Sequence, residues 1–128
     1  MKKLAAFIGA FVMMGSAAFA ADPVEGIWKT QVDDGAYAYI NFAPCGDNLC
    51  AAITRTFNSG GEYKSDNIGK NLVWDMQALG GNKYGKGKIW QPSTDKVFAS
   101  KMTLEGDTLY VSGCVAIICK KQTWTRVK

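Results

Sequence analysis

From Gly26 to the C-terminus, short runs of alternating or β-branched residues are each followed by Gly, Asp, Asn or Pro. No apolar repeat of helical period persists for even about ten residues, so the pattern is that of antiparallel strands and tight turns. It predicts strands over Gly26–Val32, Ala36–Phe42, Leu49–Thr56, Leu72–Gln77, Lys86–Gln91, Lys96–Leu104, Thr108–Gly113 and Gln122–Val127. Within Leu72–Gln77, the run Val73-Trp74-Asp75-Met76 equally suits a turn of helix. In the last strand Trp124 and Arg126 share one face while Thr123, Thr125 and Val127 share the other. Such strands leave exposed edges unless the sheet closes, so the expected fold is all-β, a small antiparallel up-and-down barrel of about eight strands. Gly26-Ile27-Trp28 should then meet the final strand. One connection is long: Phe57–Lys70 exceeds the usual length and is expected to be a solvated loop, or else a lid over a site.

The segment before these strands reads differently. Met1–Ala20 has a basic start at Lys2 and Lys3, an apolar stretch from Leu4 to Met14, and small residues ending Ala18-Phe19-Ala20. These are the parts of a secretory signal peptide, and the apolar stretch falls short of the ~20 residues that span a bilayer. The expected organisation is a signal peptide over residues 1–20 and a single β-barrel domain over residues 21–128, with no membrane span after cleavage and a periplasmic or secreted location. Loss of Lys2 and Lys3 from a chain of net charge +4 leaves only a mild basic excess, which is no nucleic-acid signature.

The four cysteines form two pairs of equal spacing, Cys45/Cys50 and Cys114/Cys119. A four-residue hairpin loop, Gly46 to Leu49, would set Cys45 and Cys50 opposite each other across two strands, within disulfide reach. Local pairing is the simplest of the three connectivities open to four cysteines. A four-thiolate zinc site is the competing arrangement; an exported chain enters an oxidising compartment where thiols pair, which favours disulfides and no metal.

The chain has no histidine. That removes His-based nucleophile activation and most zinc or haem ligation. No nucleophile elbow, phosphate loop or dinucleotide fingerprint is present, and most aspartates sit in turns where they bond the local backbone. No catalytic residue and no cofactor are therefore expected. The patch with chemical character is Asn82–Trp90, in which Lys83, Lys86 and Lys88 accompany Tyr84 and Trp90 without an acid. Such a patch could receive an anionic group, and its alternative role is a solvated Gly-rich turn leading into a strand.

Gly26-x-Trp28, Cys45-Gly46-Asp47-x-Leu49-Cys50, Gly87-Lys88-Ile89-Trp90-x-Pro92, Lys101–Leu104, Gly113-Cys114-Val115 and Gln122–Val127 together resemble the small exported bacterial proteins of domain-of-unknown-function family 2147 (DUF2147). The resemblance covers nearly all of the chain after Ala20. Where family members often carry Asp-Pro and a following Gly, this chain reads Gln91-Pro92 and Asp95. The family looks like a reduced lipocalin or calycin barrel, in which a Trp of the first strand packs beneath an Arg of the last. The resemblance thus implies structural roles for Trp28 and Arg126.

Four tryptophans and five tyrosines are more aromatic surface than so small a core needs. The expectation is a non-catalytic barrel that binds a small apolar or amphipathic ligand in its mouth, with Trp74, Lys83, Tyr84, Lys86, Lys88 and Trp90 as the candidate binding residues. A barrel of this size can also be filled by its own side chains. The chain would then be a structural or protein-interaction module of the cell envelope, working through its loops.

Overall fold

The computed structural model describes residues 21–128, so the expected signal peptide lies outside the described residues. The described strands are β1 (Gly26–Lys29), β2 (Tyr37–Cys45), β3 (Asn48–Asn58), β4 (Gly61–Tyr63), β5 (Asn71–Gly80), β6 (Lys83–Gln91), β7 (Lys96–Glu105), β8 (Thr108–Val115) and β9 (Ile118–Arg126). Every pairing is antiparallel, and β1 pairs with both β2 and β9 while β2 pairs with β3. Eight strands therefore close into a barrel, and the short β4 is an added ribbon on β3.

All eight expected strands are present, with differences that have local causes. Strand β5 is not helical, yet Val73 and Met76, three residues apart, are both fully buried. Asp75 between them has a left-handed φ of 55°, a bulge that turns both side chains inward, and this spacing mimics a helical period in the sequence. Lys86 of β6 also has a positive φ, 60°, and the register with β7 shifts between Tyr84 and Gly87. A Cβ at Gly87 would lie 2.8 Å from Met76 Cε, so the bare backbone there makes room for the Met76 side chain. What reads as a Gly-rich turn from Asn82 is mostly strand: Gly80 already pairs with Lys83, and Gly81 and Asn82 make the turn.

Both cysteine pairs are disulfides, and no cysteine is free. The hairpin around the first is tighter than a four-residue loop. Cys45 pairs with Asn48, so the turn is Gly46-Asp47, and Cys50 stands opposite Ala43, making the bridge diagonal. Gly46 supplies the positive φ, 68°, that so short a turn requires. Cys114 and Cys119 are directly opposed, beyond a turn at Ala116-Ile117.

One end of the barrel is sealed by the chain entering β1 and the chain leaving β9. Trp28 is fully buried, and the Arg126 guanidinium lies over its ring, 4.3 Å from the centroid. That guanidinium donates from Nη2 to the Pro23 carbonyl at 2.8 Å, from Nη1 to the Glu25 carbonyl at 3.3 Å and from Nε to Asp107 Oδ1 at 3.0 Å. Trp28 Nε1 donates to the carbonyl of buried Val24 at 2.9 Å, so one indole both fills the floor and ties down the entering chain. Gly26 is required here: its φ is 122°, and a Cβ would fall 2.6 Å from the Lys128 carbonyl oxygen, which accepts from Ile27 N. Tyr84 seals the adjacent wall by donating its hydroxyl to Asp22 Oδ1 at 2.6 Å.

Trp28→Ala should lower the unfolding free energy by about 3–5 kcal/mol, because a large side chain leaves a cavity in the floor. Arg126→Lys should also destabilise, since an ammonium keeps the charge but cannot repeat the planar three-way fork. Urea denaturation measures both, and a Trp28→Ala cost under ~1 kcal/mol would contradict a structural role.

Burial, aided by the bond to the Asp22 carboxylate, raises the pKa of the Tyr84 phenol well above its ordinary range. A raised folded-state pKa means that this contribution is intact below the unfolded value, about 10, and is lost as pH climbs through the folded value. Stability should accordingly fall above about pH 10, and Tyr84→Phe should flatten part of that fall in denaturation curves taken across the alkaline range.

Candidate functional site

The two halves of the barrel are packed differently. Toward the sealed end the interior holds Trp28, Phe42, Leu49, Met76, Met102, Leu104 and Leu109, all buried. Toward the other end the inward positions carry Thr30, Ala38, Thr56 and Gly113, which are too small to meet across the lumen. A cavity of about 610 Å³ results. Its floor and walls include Ile53, Leu72, Ile89, Phe98, Val111 and Trp124, and its rim includes Gln31, Asp33, Asp34, Tyr37, Tyr63, Ser65, Asn67, Trp90, Gln91, Lys120 and Gln122. An apolar interior below a mostly polar rim, here interrupted by Val115 and Ile118 of the β8–β9 hairpin, is the pattern of a small-molecule pocket.

Trp124 marks the boundary between the halves. It is buried, packs against Phe42 with ring centroids 6.5 Å apart, and donates Nε1 to Gln122 Oε1 at 2.9 Å. That bond satisfies the indole within the wall. At the rim, Gln91 Nε2 donates to Asp33 Oδ2 at 3.2 Å, tying the β6 end to the β1–β2 connection. Gly113 is the residue that keeps the lumen widest on the β8 side. A Cβ there would stand in ordinary contact with Ile89 Cγ2 at 3.4 Å and Phe98 Cβ at 3.5 Å, so a longer side chain would extend into the cavity.

The long connection forms part of the wall. Ile53 N donates to the Lys70 carbonyl and Gly69 N to the Ile53 carbonyl, at 2.9 and 2.8 Å, holding the return of the chain against β3. Arg55 bridges to Glu62 of β4 at 2.6 Å, and this exposed pairing raises the Arg55 pKa and lowers that of Glu62. Tyr37 stacks on Phe57 at 4.8 Å, and Lys29 stands 4.7 Å over the Tyr37 ring. These contacts brace the rim between β2 and β4 from outside. Strand β4 has no counterpart among the expected strands, because three exposed residues carry no burial alternation.

Of the six candidate binding residues, Trp90 lines the cavity and the other five do not. Trp90 sits at the rim, with Nε1 donating to Asp95 Oδ1 at 2.9 Å and Lys70 Nζ 5.6 Å from its ring centroid. Trp74 pairs with the exposed Lys88 across the β5–β6 ladder, which sets both on the outer face. Lys86 is turned out by its bulge, Lys83 is exposed at the start of β6, and Tyr84 is committed to Asp22 at the sealed end. Strand alternation and the bulge thus disperse a patch that is contiguous in sequence. The cavity's lysine is Lys120, which pairs with Gly113 across the β8–β9 ladder. Its signal in the sequence is parity with Trp124 and Arg126, but the expected last strand begins only at Gln122 and leaves Lys120 outside it.

No helix among the described residues is long and apolar enough to cross a membrane. No curated protein matches the chain. A solved structure of a protein from the human pathogen Helicobacter pylori, described as belonging to the lipocalin family, is similar over 85% of each chain, with a TM-score of 0.68 and 14% identity. That likeness shows a lipocalin-like barrel. A family model described as "Uncharacterized protein conserved in bacteria (DUF2147)" matches residues 26–126, which begins at the glycine that admits the Lys128 carbonyl and ends at the arginine over Trp28. The chain belongs to the DUF2147 family of bacterial proteins.

Proposed function

We propose that this chain is an exported, non-catalytic binding protein that holds a small single-tailed amphiphile in the open half of its barrel. The cavity of about 610 Å³ carries this reading, since it lies within the size range of ligand pockets and is apolar at depth. Its rim bears both signs of charge, with Lys120 on β9 and Asp33 and Asp34 on the β1–β2 connection. A zwitterionic headgroup such as that of a lysophospholipid would meet both; a fatty-acid carboxylate would use Lys120 alone. The two disulfides support an oxidising compartment outside the cytoplasm, as does the leader-like Met1–Ala20.

Titration with lysophosphatidylethanolamine and with palmitate, read by tryptophan fluorescence, tests the proposal. Ligand at a hundred times its dissociation constant should stabilise the fold by about 2.7 kcal/mol, a melting shift of several degrees. Gly113→Leu should abolish capture while leaving the far-ultraviolet circular dichroism intact. Lys120→Gln should weaken capture severalfold and reduce its salt dependence. Joint replacement of Lys83, Lys86 and Lys88 should leave it unchanged. No shift with either lipid, and no difference between wild type and Gly113→Leu, would favour an interaction module instead.

A further inference from the structure

The β8–β9 hairpin carries apolar side chains where a barrel rim would ordinarily be polar. Ile117 is 94% exposed, Ile118 76% and Val115 63%, and Val97, the second residue of the neighbouring β7, is 52% exposed. The tip cannot fold away to hide them. Cys114–Cys119 bridges the hairpin directly below it, and the Val115–Ile118 pair continues the ladder up to the turn at Ala116-Ile117. Immediately beneath the apolar tip, Lys120 and Lys121 lie on β9, and Lys96 opens β7. The acids at this end of the barrel lie on other connections: Asp95 accepts from Trp90 Nε1 in the β6–β7 turn, and Asp33, which accepts from Gln91 Nε2, and Asp34 sit between β1 and β2.

We propose that this hairpin is a membrane-surface anchor, its tip seated among the headgroups of an anionic bilayer with the lysines against lipid phosphate. Two isoleucines and a valine on a rigid tip above a lysine layer match such a surface in depth and in charge, because interfacial binding grows with buried apolar area and with attraction to anionic lipid. The disulfide removes much of the ordering cost that a flexible loop would incur on insertion. A second copy of the chain is the poorer occupant, since a stable protein interface covers about 800 Å² on each partner and a single turn offers far less. Docking needs no ligand in the cavity and so goes beyond the binding reading. It would, however, present the open mouth to the lipid.

Co-sedimentation of the ligand-free protein with vesicles tests this directly. The protein should bind vesicles of phosphatidylglycerol mixed with phosphatidylcholine and bind phosphatidylcholine alone only weakly, and added salt should release it. Ile117→Asp should reduce vesicle binding by about tenfold or more, as expected for losing one buried isoleucine and adding a like charge to the lipid. Lys121→Gln should lower binding to anionic vesicles without changing the weak binding to neutral ones. In Ile117→Trp the added emission should shift to the blue with anionic vesicles and be quenched by brominated chains. Ile117 does not line the cavity, so Ile117→Asp should still capture lysophospholipid in solution; a wild type that docks on vesicles but captures no lipid would count against the binding reading alone. Equal vesicle binding by wild type and Ile117→Asp, or no binding at low salt, would overturn the anchor. Self-association of wild type that Ile117→Asp abolishes would overturn it too, and would assign the tip to a second copy.

Discussion

The stacking of Arg126 on Trp28 fixes where the barrel closes, and the packing of both halves depends on that closure. The first strand is only four residues long, and its ladder to β9 contains the pairs Trp28–Arg126 and Lys29–Thr125. Backbone bonds from Ile27 to Val127 and Lys128 extend the seam, but it stays short. The guanidinium adds to it by joining β9 to two other pieces of chain: the carbonyls of Pro23 and Glu25 before β1, and the Asp107 carboxylate in the β7–β8 turn. A flat cation that stacks on an indole and uses its remaining edges on carbonyls can do this; a lysine cannot.

Because the seam and the floor share these residues, the bulk of the core is concentrated at one end. Val24, Trp28, Met76, Tyr84, Met102 and Leu104 are buried there, and no polar side-chain atom among the described residues is left buried without a partner. The opposite end has no equivalent plug. It is held open from outside, by the Tyr37–Phe57 stack, the Arg55–Glu62 bridge and the Cys114–Cys119 hairpin, so its lumen need not be filled to be stable. An eight-stranded barrel can be packed solid or hold one small guest, and the choice is made by side-chain size at a few inward positions. Here Thr30, Ala38, Thr56 and Gly113 leave the space.

The barrel was legible because alternation and turn residues are local signals, and because Trp124 and Arg126 show the parity of the last strand without any knowledge of partners. The bulges at Asp75 and Lys86 were not legible. Neither residue type favours a left-handed φ as glycine does, and the conformation is set by the need to bring Val73, Met76 and Tyr84 into one floor. That hidden geometry also disperses the lysine-rich run: one bulge and one ladder send Lys86 and Lys88 outward, while Lys120, before the expected start of its strand at Gln122, lines the cavity. Disulfide pairing was readable from spacing, whereas the diagonal register of Cys45 and Cys50 depended on the two-residue turn that Gly46 allows.

The open half of this barrel is proposed as a ligand chamber. Native mass spectrometry of the protein purified from its own bacterium tests this without presupposing the guest. A single non-covalent adduct of one small amphiphile per chain is expected, absent from a Gly113→Leu variant prepared in the same way. A bare polypeptide mass for both proteins, persisting after incubation with a total lipid extract from the same cells, would contradict it.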